Sequence, residues 1–312
     1  MTKVLFTGGG GAGNEALWRL LGERYEIHLG DADPDAMDPL VPAARRHTLP
    51  WANNPGFADE MARLCAKLRI DVLVPGVDEE LKSLAAASGL FGSTTILLPG
   101  LDYVMTMIDK WSMVGALKGK GLPVPATRLL SEGPGTLPFP CIAKPRQGRG
   151  SRDVRVLGSA IEAANLREAA GVAADRTLLQ RLAEGTEYTV QMMADSQARL
   201  HAVVPVRVVI KRGITLRAVT EDNPVVVAAC RAIHEALPAA GCYNVQLMLT
   251  PAGEVLPFEI NPRVSTTLCL CVAAGLDPVA IWQAREPRQE TFRAGLQLRR
   301  HWTNHFGDEV QS

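Results

Sequence analysis

The sequence predicts a chain built in two styles. An α/β unit with a parallel sheet comes first, and an α+β portion with a largely antiparallel sheet follows. Short apolar strands alternate with apolar-periodic helices over residues 1–108, the pattern of a parallel sheet covered by helices. A stretch rich in Gly and Pro over residues 121–137 marks a change of unit. From Glu187 onward the strand-like runs lengthen.

In chain order, Val4-Leu5-Phe6 reads as a short buried strand, residues 14–21 as a helix and residues 26–29 as a second strand ending at Asp31. Residues 57–68 form a helix, 71–75 a third strand, 78–87 another helix and 95–98 a fourth strand. Past the Gly/Pro segment come a strand at 141–144, a polar glycine loop, a strand at 153–157, a helix at 160–170 and a strand at 177–180. The longer runs are 187–193, 199–209, 214–218, 243–250 and 255–261, with a helix near 223–239. Residues 285–312 are charged and read as a helix followed by a loose tail.

Composition narrows the function classes. The 312 residues suffice for two or three packed units. Lys plus Arg and Asp plus Glu both number 33, which removes any general argument for nucleic acid or an acidic membrane surface. No apolar run approaches the roughly 20 residues needed to span a bilayer. The N-terminus enters a strand at once and lacks a signal-peptide layout. Six cysteines show neither zinc spacing nor a disulfide framework, so reduced thiols and a cytoplasmic setting are expected.

The richest signal is Phe258-Glu259-Ile260-Asn261-Pro262-Arg263, downstream of Asn244-Val245-Gln246. In a strand Glu259 and Asn261 share a face. Pro251-Ala252-Gly253-Glu254 reads as a hairpin turn that brings Gln246 beside them. Three oxygen donors and one guanidinium then converge. Oxygen donors suit a hard cation such as Mg²⁺, and a carboxylate-poor site leaves nucleotide phosphates to complete the shell.

Lys144 ends an apolar strand, where an unmatched ammonium is costly and a phosphate is a natural partner. The next residues, 145–152, hold two glycines, a serine and three arginines, which suits phosphate oxygens without forming a Walker loop. Residues 178–183 form a strand entering an extended linker, whose backbone can meet an adenine edge. Glu187, just after a turn, can accept ribose hydroxyls.

The N-terminal loop of residues 7–13 satisfies Gly-x-Gly-x-x-Gly through Gly8, Gly10 and Gly13, with Asp31 near where a ribose-binding acid belongs. It has three readings: a dinucleotide site, a tight turn packed closely by its own fold, or a wall of a substrate pocket. Asp78, Glu79 and Glu80 line a cleft at the strand ends or cap and solvate a helix start.

Taken together, these pieces resemble the ATP-grasp superfamily, most closely the synthetase domains of the carbamoyl-phosphate synthetase large subunit and single-domain carboxylate–amine ligases. The resemblance implies an ATP-grasp fold: a Rossmann-like pre-ATP-grasp domain over 1–108, a small lid over 109–185 and an antiparallel-sheet subdomain with the metal site over 186–312. It implies that Lys110 and Lys144 contact ATP phosphates beneath a glycine loop of Gly148, Arg149, Gly150 and Ser151. Gln180, Arg181, Leu182 and Ala183 would hold adenine and Glu187 the ribose. Gln246, Glu259 and Asn261 would ligate Mg²⁺ or Mn²⁺, and Arg263 would meet the transferring phosphoryl group. Lys144, Arg263 and Asn261 are thus the expected catalytic set. Lys211, Arg217, Asn244 and Thr266 are candidates for the acid substrate. Dimerisation is common in proteins of this resemblance.

One departure matters. The carbamoyl-phosphate synthetase motif carries a second arginine shortly after the first, beside its bicarbonate site. This sequence has Thr266 there, which leaves room for a larger organic carboxylate. The expected activity is ATP-dependent activation of a carboxylate as an acyl phosphate for attack by an amine. The alternatives are a bicarbonate- or carbamate-activating enzyme and an ATP-binding regulatory protein that does not turn over.

Overall fold

The computed structural model describes residues 1–148, 150 and 152–304. The alternating N-terminal pattern builds a parallel sheet from β1 (Lys3–Thr7), β2 (Glu26–Asp31), β3 (Arg46–Thr48), β4 (Val72–Val74) and β5 (Thr95–Ile96), in the order β3-β2-β1-β4-β5. α1 (Asn14–Leu21), α2 (Phe57–Leu68) and α3 (Asp78–Ala86) connect the strands. Strand order reverses between β1 and β4. Ligands of open α/β sheets bind in the crevice outside the strand ends at such a switch point. Here the glycine loop after β1 and Gly76-Val77 after β4 flank that crevice.

Two helices that the sequence reading did not mark come next, α4 (Leu101–Met107) and α5 (Lys110–Gly119). Asp109 caps α5, its carboxylate accepting the N–H groups of Trp111 at 2.9 Å and Ser112 at 3.2 Å. Met107, Met113, Val114 and Leu117 pack with Tyr188, Val190, Tyr243 and Ile260 of the third sheet.

The second sheet is small: β6 (Thr127–Leu129), β7 (Cys141–Pro145), β8 (Arg155–Leu157) and β9 (Thr177–Arg181), in the order β6-β9-β7-β8, with α6 (Ala160–Ala170). Leu130, Cys141, Ala143, Leu157 and Leu179 give it a separate core.

The third sheet comprises β10 (Thr186–Ala194), β11 (Leu200–Arg212), β12 (Ile214–Thr220), β13 (Gly241–Leu249), β14 (Val255–Asn261) and β15 (Gln297–Arg299). Its order is β14-β13-β10-β11-β12-β15, antiparallel throughout. α7 (Pro224–Ala236), α8 (Leu268–Ala273) and α9 (Pro278–Trp282) accompany it. Leu268 and Leu270 of α8 share one core with Leu17 and Leu21 of α1, Phe6 of β1 and Val204 and Val206 of β11. The first and third sheets are therefore joined by continuous apolar packing.

The tail differs from its expectation. Among the described residues after 285 there is no helix. Residues 297–299 form β15, which covers the outer edge of β12. An edge strand leaves backbone N–H and C=O groups to satisfy, and the tail satisfies them. Among the described residues no helix is long and apolar enough to cross a membrane. All six cysteines are buried and unpaired, as their scattered placement suggests.

The shared core yields a test. Leu268 is fully buried within it. Leu268→Ala should lower unfolding stability by about 2–5 kcal/mol, read from urea denaturation.

Candidate active site

The hairpin of β13 and β14 sets Gln246 directly opposite Glu259 and Asn244 opposite Asn261. Beyond that pair the register jumps, Leu247 meeting Pro257, so Phe258 is an extra residue in β14. The hydrogen-bond chain orients the amides. Asn244 Nδ2 donates to the carbonyl of Arg263 at 3.0 Å, which only a donor can meet. Asn244 Oδ1 must then accept, and Asn261 Nδ2 donates to it at 3.1 Å. Asn261 Oδ1 is left as the atom for a ligand. Among the described residues no group of three or more His, Cys, Asp or Glu side chains could hold a metal ion. A metal at this hairpin would rest on one carboxylate and two amide oxygens.

Three lysines surround Glu259. Lys110 Nζ lies 3.2 Å from Glu259 Oε1 and donates to the carbonyl of Gly148 at 2.9 Å. Lys144 Nζ, in a residue only 6% exposed, donates to the bulge carbonyl of Phe258 at 3.1 Å and stands 5.4 Å from that ring's centroid. Burial, and then the like charges of Lys110 and Lys211, push the Lys144 ammonium down to about 8, against the pull of Glu259. Lys211 Nζ donates to Glu187 Oε1 at 2.6 Å and Gln246 Oε1 at 3.1 Å.

These groups line a cavity of about 340 Å³ between the second and third sheets, walled by Ile142, Leu182, Met248 and Phe258. Among the described residues its lining holds five cations, Lys110, Lys144, Arg152, Arg181 and Lys211, against the two carboxylates Glu187 and Glu259. That excess suits a polyanion with an apolar end. Gln180 and residues 181–183 form one wall. The Gln180 side chain donates to Thr127 Oγ1 at 2.9 Å, and the Arg181 N–H is used by the carbonyl of Ala126 at 2.8 Å.

A second cleft, of about 730 Å³, lies between the first and third sheets. It meets the first cavity at Lys211, Gln246, Glu259, Gly150 and Arg152, which line both. Gly8, Gly11 and Ala12 line it from the switch point, so the glycine loop is a wall of this cleft. Protein packing accounts for the glycines themselves. A side chain on Gly10 would collide with Ala36, and a Cβ on Gly76 would lie 2.6 Å from the carbonyl oxygen of Thr7. Asp31 is engaged by the N–H groups of Gly10 at 2.9 Å and Asp33 at 3.1 Å.

Arg263, partly buried in this cleft, donates to Asp78 at the start of α3, so an ion pair joins the first and third sheets. Burial would depress the guanidinium, but the charge of Asp78 and its hydrogen bond hold it above its ordinary value. Glu80, one turn into α3, accepts from Thr7 Oγ1, from Gly76 N at 3.0 Å and from Val77 N at 2.9 Å. Burial pushes its carboxyl up to about 7, against those hydrogen bonds and the charge of Arg263.

With this geometry in place, residues 107–267, just over half of the chain, match the family of the ATP-grasp domain. The chain belongs to the ATP-grasp family. No curated protein matches it in sequence. Solved structures resemble it in fold. Pyruvate carboxylase from Rhizobium etli matches with a TM-score of 0.67 and 17% identity, over 89% of this chain and 28% of that one. This chain therefore spans well under a third of that protein. The biotin carboxylase domain of 2-oxoglutarate carboxylase from Hydrogenobacter thermophilus, solved with MgADP, ADP and bicarbonate, matches at 0.66 and 17% over 95% and 73%. L-amino acid ligase from Bacillus licheniformis matches at 0.66 and 15% over 89% and 72%.

Most of the residues singled out from the sequence come together at these two cavities. Lys110, Lys144, Gly148, Gly150, residues 180–183, Glu187, Lys211, Gln246 and Glu259 line the smaller cavity. Asn244, Asn261, Arg263 and Thr266 line the larger one. Arg149 and Ser151 lie outside the described residues. Arg217 does not join them. It is exposed on β12 opposite Arg299, past the mouth of the cleft, which Arg212 and Thr215 line instead. Irregular register between β11 and β12 governs which residues reach the cleft, and strand alternation alone does not reveal it. Arg146 likewise turns away, its guanidinium forking onto Asp109 at 2.7–3.2 Å. Trp51, Asn53 and Phe57 also line the large cleft. Their sequence signal, a Trp-Ala-Asn-Asn-Pro loop before a helix, was too generic to read.

The raised carboxyl has a measurable sign. Folded Glu80 holds a proton that the unfolded chain releases near 4.5, so ionising it costs stability as pH rises from 4.5 to about 7. Glu80→Gln keeps the acceptor oxygen and removes that cost. Its Tm should match wild type near pH 4 and exceed it at pH 8, measured by calorimetry.

Proposed function

We propose that this chain is an ATP- and Mg²⁺-dependent ligase that activates a carboxylate as an acyl phosphate for capture by an amine. One observation carries the reading: Gln246 and Glu259 stand where a cation-rich cavity opens into a second, larger cleft. A nucleotide in the first would point its phosphates at an acid in the second. The division into 1–108, 109–185 and 186–312 is part of this reading, with the three sheets as its support.

A carboxylate is a poor electrophile at neutral pH, and transfer of a phosphoryl group gives it a leaving group. Catalysis is then mostly positioning and charge neutralisation. Lys144, held by the Phe258 carbonyl, and Lys110, held by that of Gly148, would meet the phosphates. Glu259, Gln246 and Asn261 would hold Mg²⁺, or Mn²⁺ with its similar taste for oxygen, and the ion would neutralise phosphate charge. Leu182 and Ala183 would flank adenine, and Glu187 would take the ribose hydroxyls. Arg263 and Lys211 would steer the acid and stabilise the transferring group.

The acid is organic in this reading. Bicarbonate has only a few atoms, whereas the cleft has about 730 Å³. The small neutral side chain of Thr266 lines it where a second cation would favour bicarbonate. Among the similar folds, the L-amino acid ligase supports an amide-forming activity, and the bicarbonate-bound carboxylase domain supports the alternative.

The deciding experiment is ADP release from ATP and Mg²⁺ with pooled organic acids and amines, bicarbonate controlled. Stimulation by an organic acid pool is expected. Stimulation by bicarbonate alone would move the activity to carbamoyl chemistry, and ATP binding without ADP release would make the chain a non-catalytic binder. Glu259→Ala should reduce turnover by about 100-fold or more. Lys144→Met should weaken ATP binding about 10- to 100-fold in calorimetric titration. It should leave thermal stability intact, since a buried charge is exchanged for a packed apolar chain.

A further inference from the structure

Helix capping explains only half of Glu80. Thr7 Oγ1, Gly76 N and Val77 N all donate to the same oxygen, Oε1. A glutamine would serve all three equally, because its carbonyl oxygen also accepts. A carboxylate in a residue only 3% exposed carries a burial cost that a glutamine would not. The second oxygen is what distinguishes the two, and Glu80 lines the large cleft.

The cleft is partitioned by charge and polarity. Arg212, Lys211 and Arg263, from the third sheet, supply cations to its lining. Glu80, Asp31, Leu49, Trp51 and Phe57 come from the first sheet and its loops. Trp51 is 66% exposed, a large indole face presented beside the cleft. Those cations attract a carboxylate substrate, so the acid belongs on the third-sheet side. The wall formed by the first sheet is left for the other reactant, and it offers a hydrogen-bond acceptor and an apolar surface.

We propose that Glu80 Oε2 receives the attacking amine, and that this amine carries an apolar or aromatic body seated on Trp51. The inference rests on the ligase reading above. The amine nitrogen forms the new bond to the acyl carbon, and the bond from that carbon to the phosphate oxygen breaks. Inorganic phosphate leaves with that electron pair, and the proton shed by nitrogen passes to the Glu80 carboxylate. The elevated proton affinity of this buried carboxyl suits it to accept a proton near neutral pH.

Hydroxylamine separates the two halves of the reaction. It is a small nucleophile that needs no apolar seat, and it converts an acyl phosphate to a coloured hydroxamate. Wild type, Glu80→Gln and Trp51→Ala would be compared with hydroxylamine and with primary amines bearing alkyl, aromatic or charged bodies. Wild type should prefer the alkyl and aromatic amines. Trp51→Ala should raise KM for those amines about tenfold, with a far smaller effect on charged ones. Glu80→Gln should lower kcat/KM for amines at least about tenfold more than it lowers hydroxamate formation. Equal losses in both assays would place Glu80 on the acid or phosphoryl side and overturn the proposal. No loss in either would leave it a helix cap and overturn it too. Wild type that forms no hydroxamate with any acid pool would defeat the ligase reading itself, and this inference with it.

Discussion

A single extra residue in β14 sets the geometry on which the site depends. The bulge at Phe258 shifts the register between Leu247–Pro257 and Gln246–Glu259. Side chains alternate along a strand, so a slip by one residue would turn Glu259 and Asn261 away from the cavities. The bulge also presents its carbonyl to Lys144, which reaches across from the second sheet. The register that places the oxygen donors thus also anchors the buried ammonium.

That ammonium shows how the site trades stability for readiness. Three lysines crowd around Glu259, and the nearest acceptors are backbone carbonyls, two carboxylates and an amide. Such a cluster is less comfortable than an apolar one would be. Arg263 and Asp78 make a comparable pair at the seam between the first and third sheets. Proteins concentrate discomfort of this kind where a charged ligand is to be received.

Much of this was legible in the sequence because it depends on local rules. Period two placed Glu259 and Asn261 together, the Pro-Ala-Gly-Glu turn brought Gln246 opposite, and a lysine in an apolar strand betrayed Lys144. What escaped depends on distant parts of the chain. Arg217 and Arg212 differ by the irregularities of the β11–β12 register. The tail becomes a strand because β12 offers an open edge nearly eighty residues earlier. α5 owes its place to the third sheet, with a weakly amphipathic sequence of its own. That only one oxygen of Glu80 serves the cap emerges when Thr7, on another strand, is brought beside it.

The small sheet keeps its apolar residues to itself, whereas the first and third sheets are fused through α1 and α8. The two cavities therefore differ in what lies behind their walls. Beside the smaller cavity the small sheet meets the rest of the chain through polar contacts such as Lys144 to Phe258 and Lys110 to Gly148. The large cleft has continuous apolar packing behind its first- and third-sheet walls. A guest spanning both spaces would meet a continuous core behind one and a separately packed sheet beside the other.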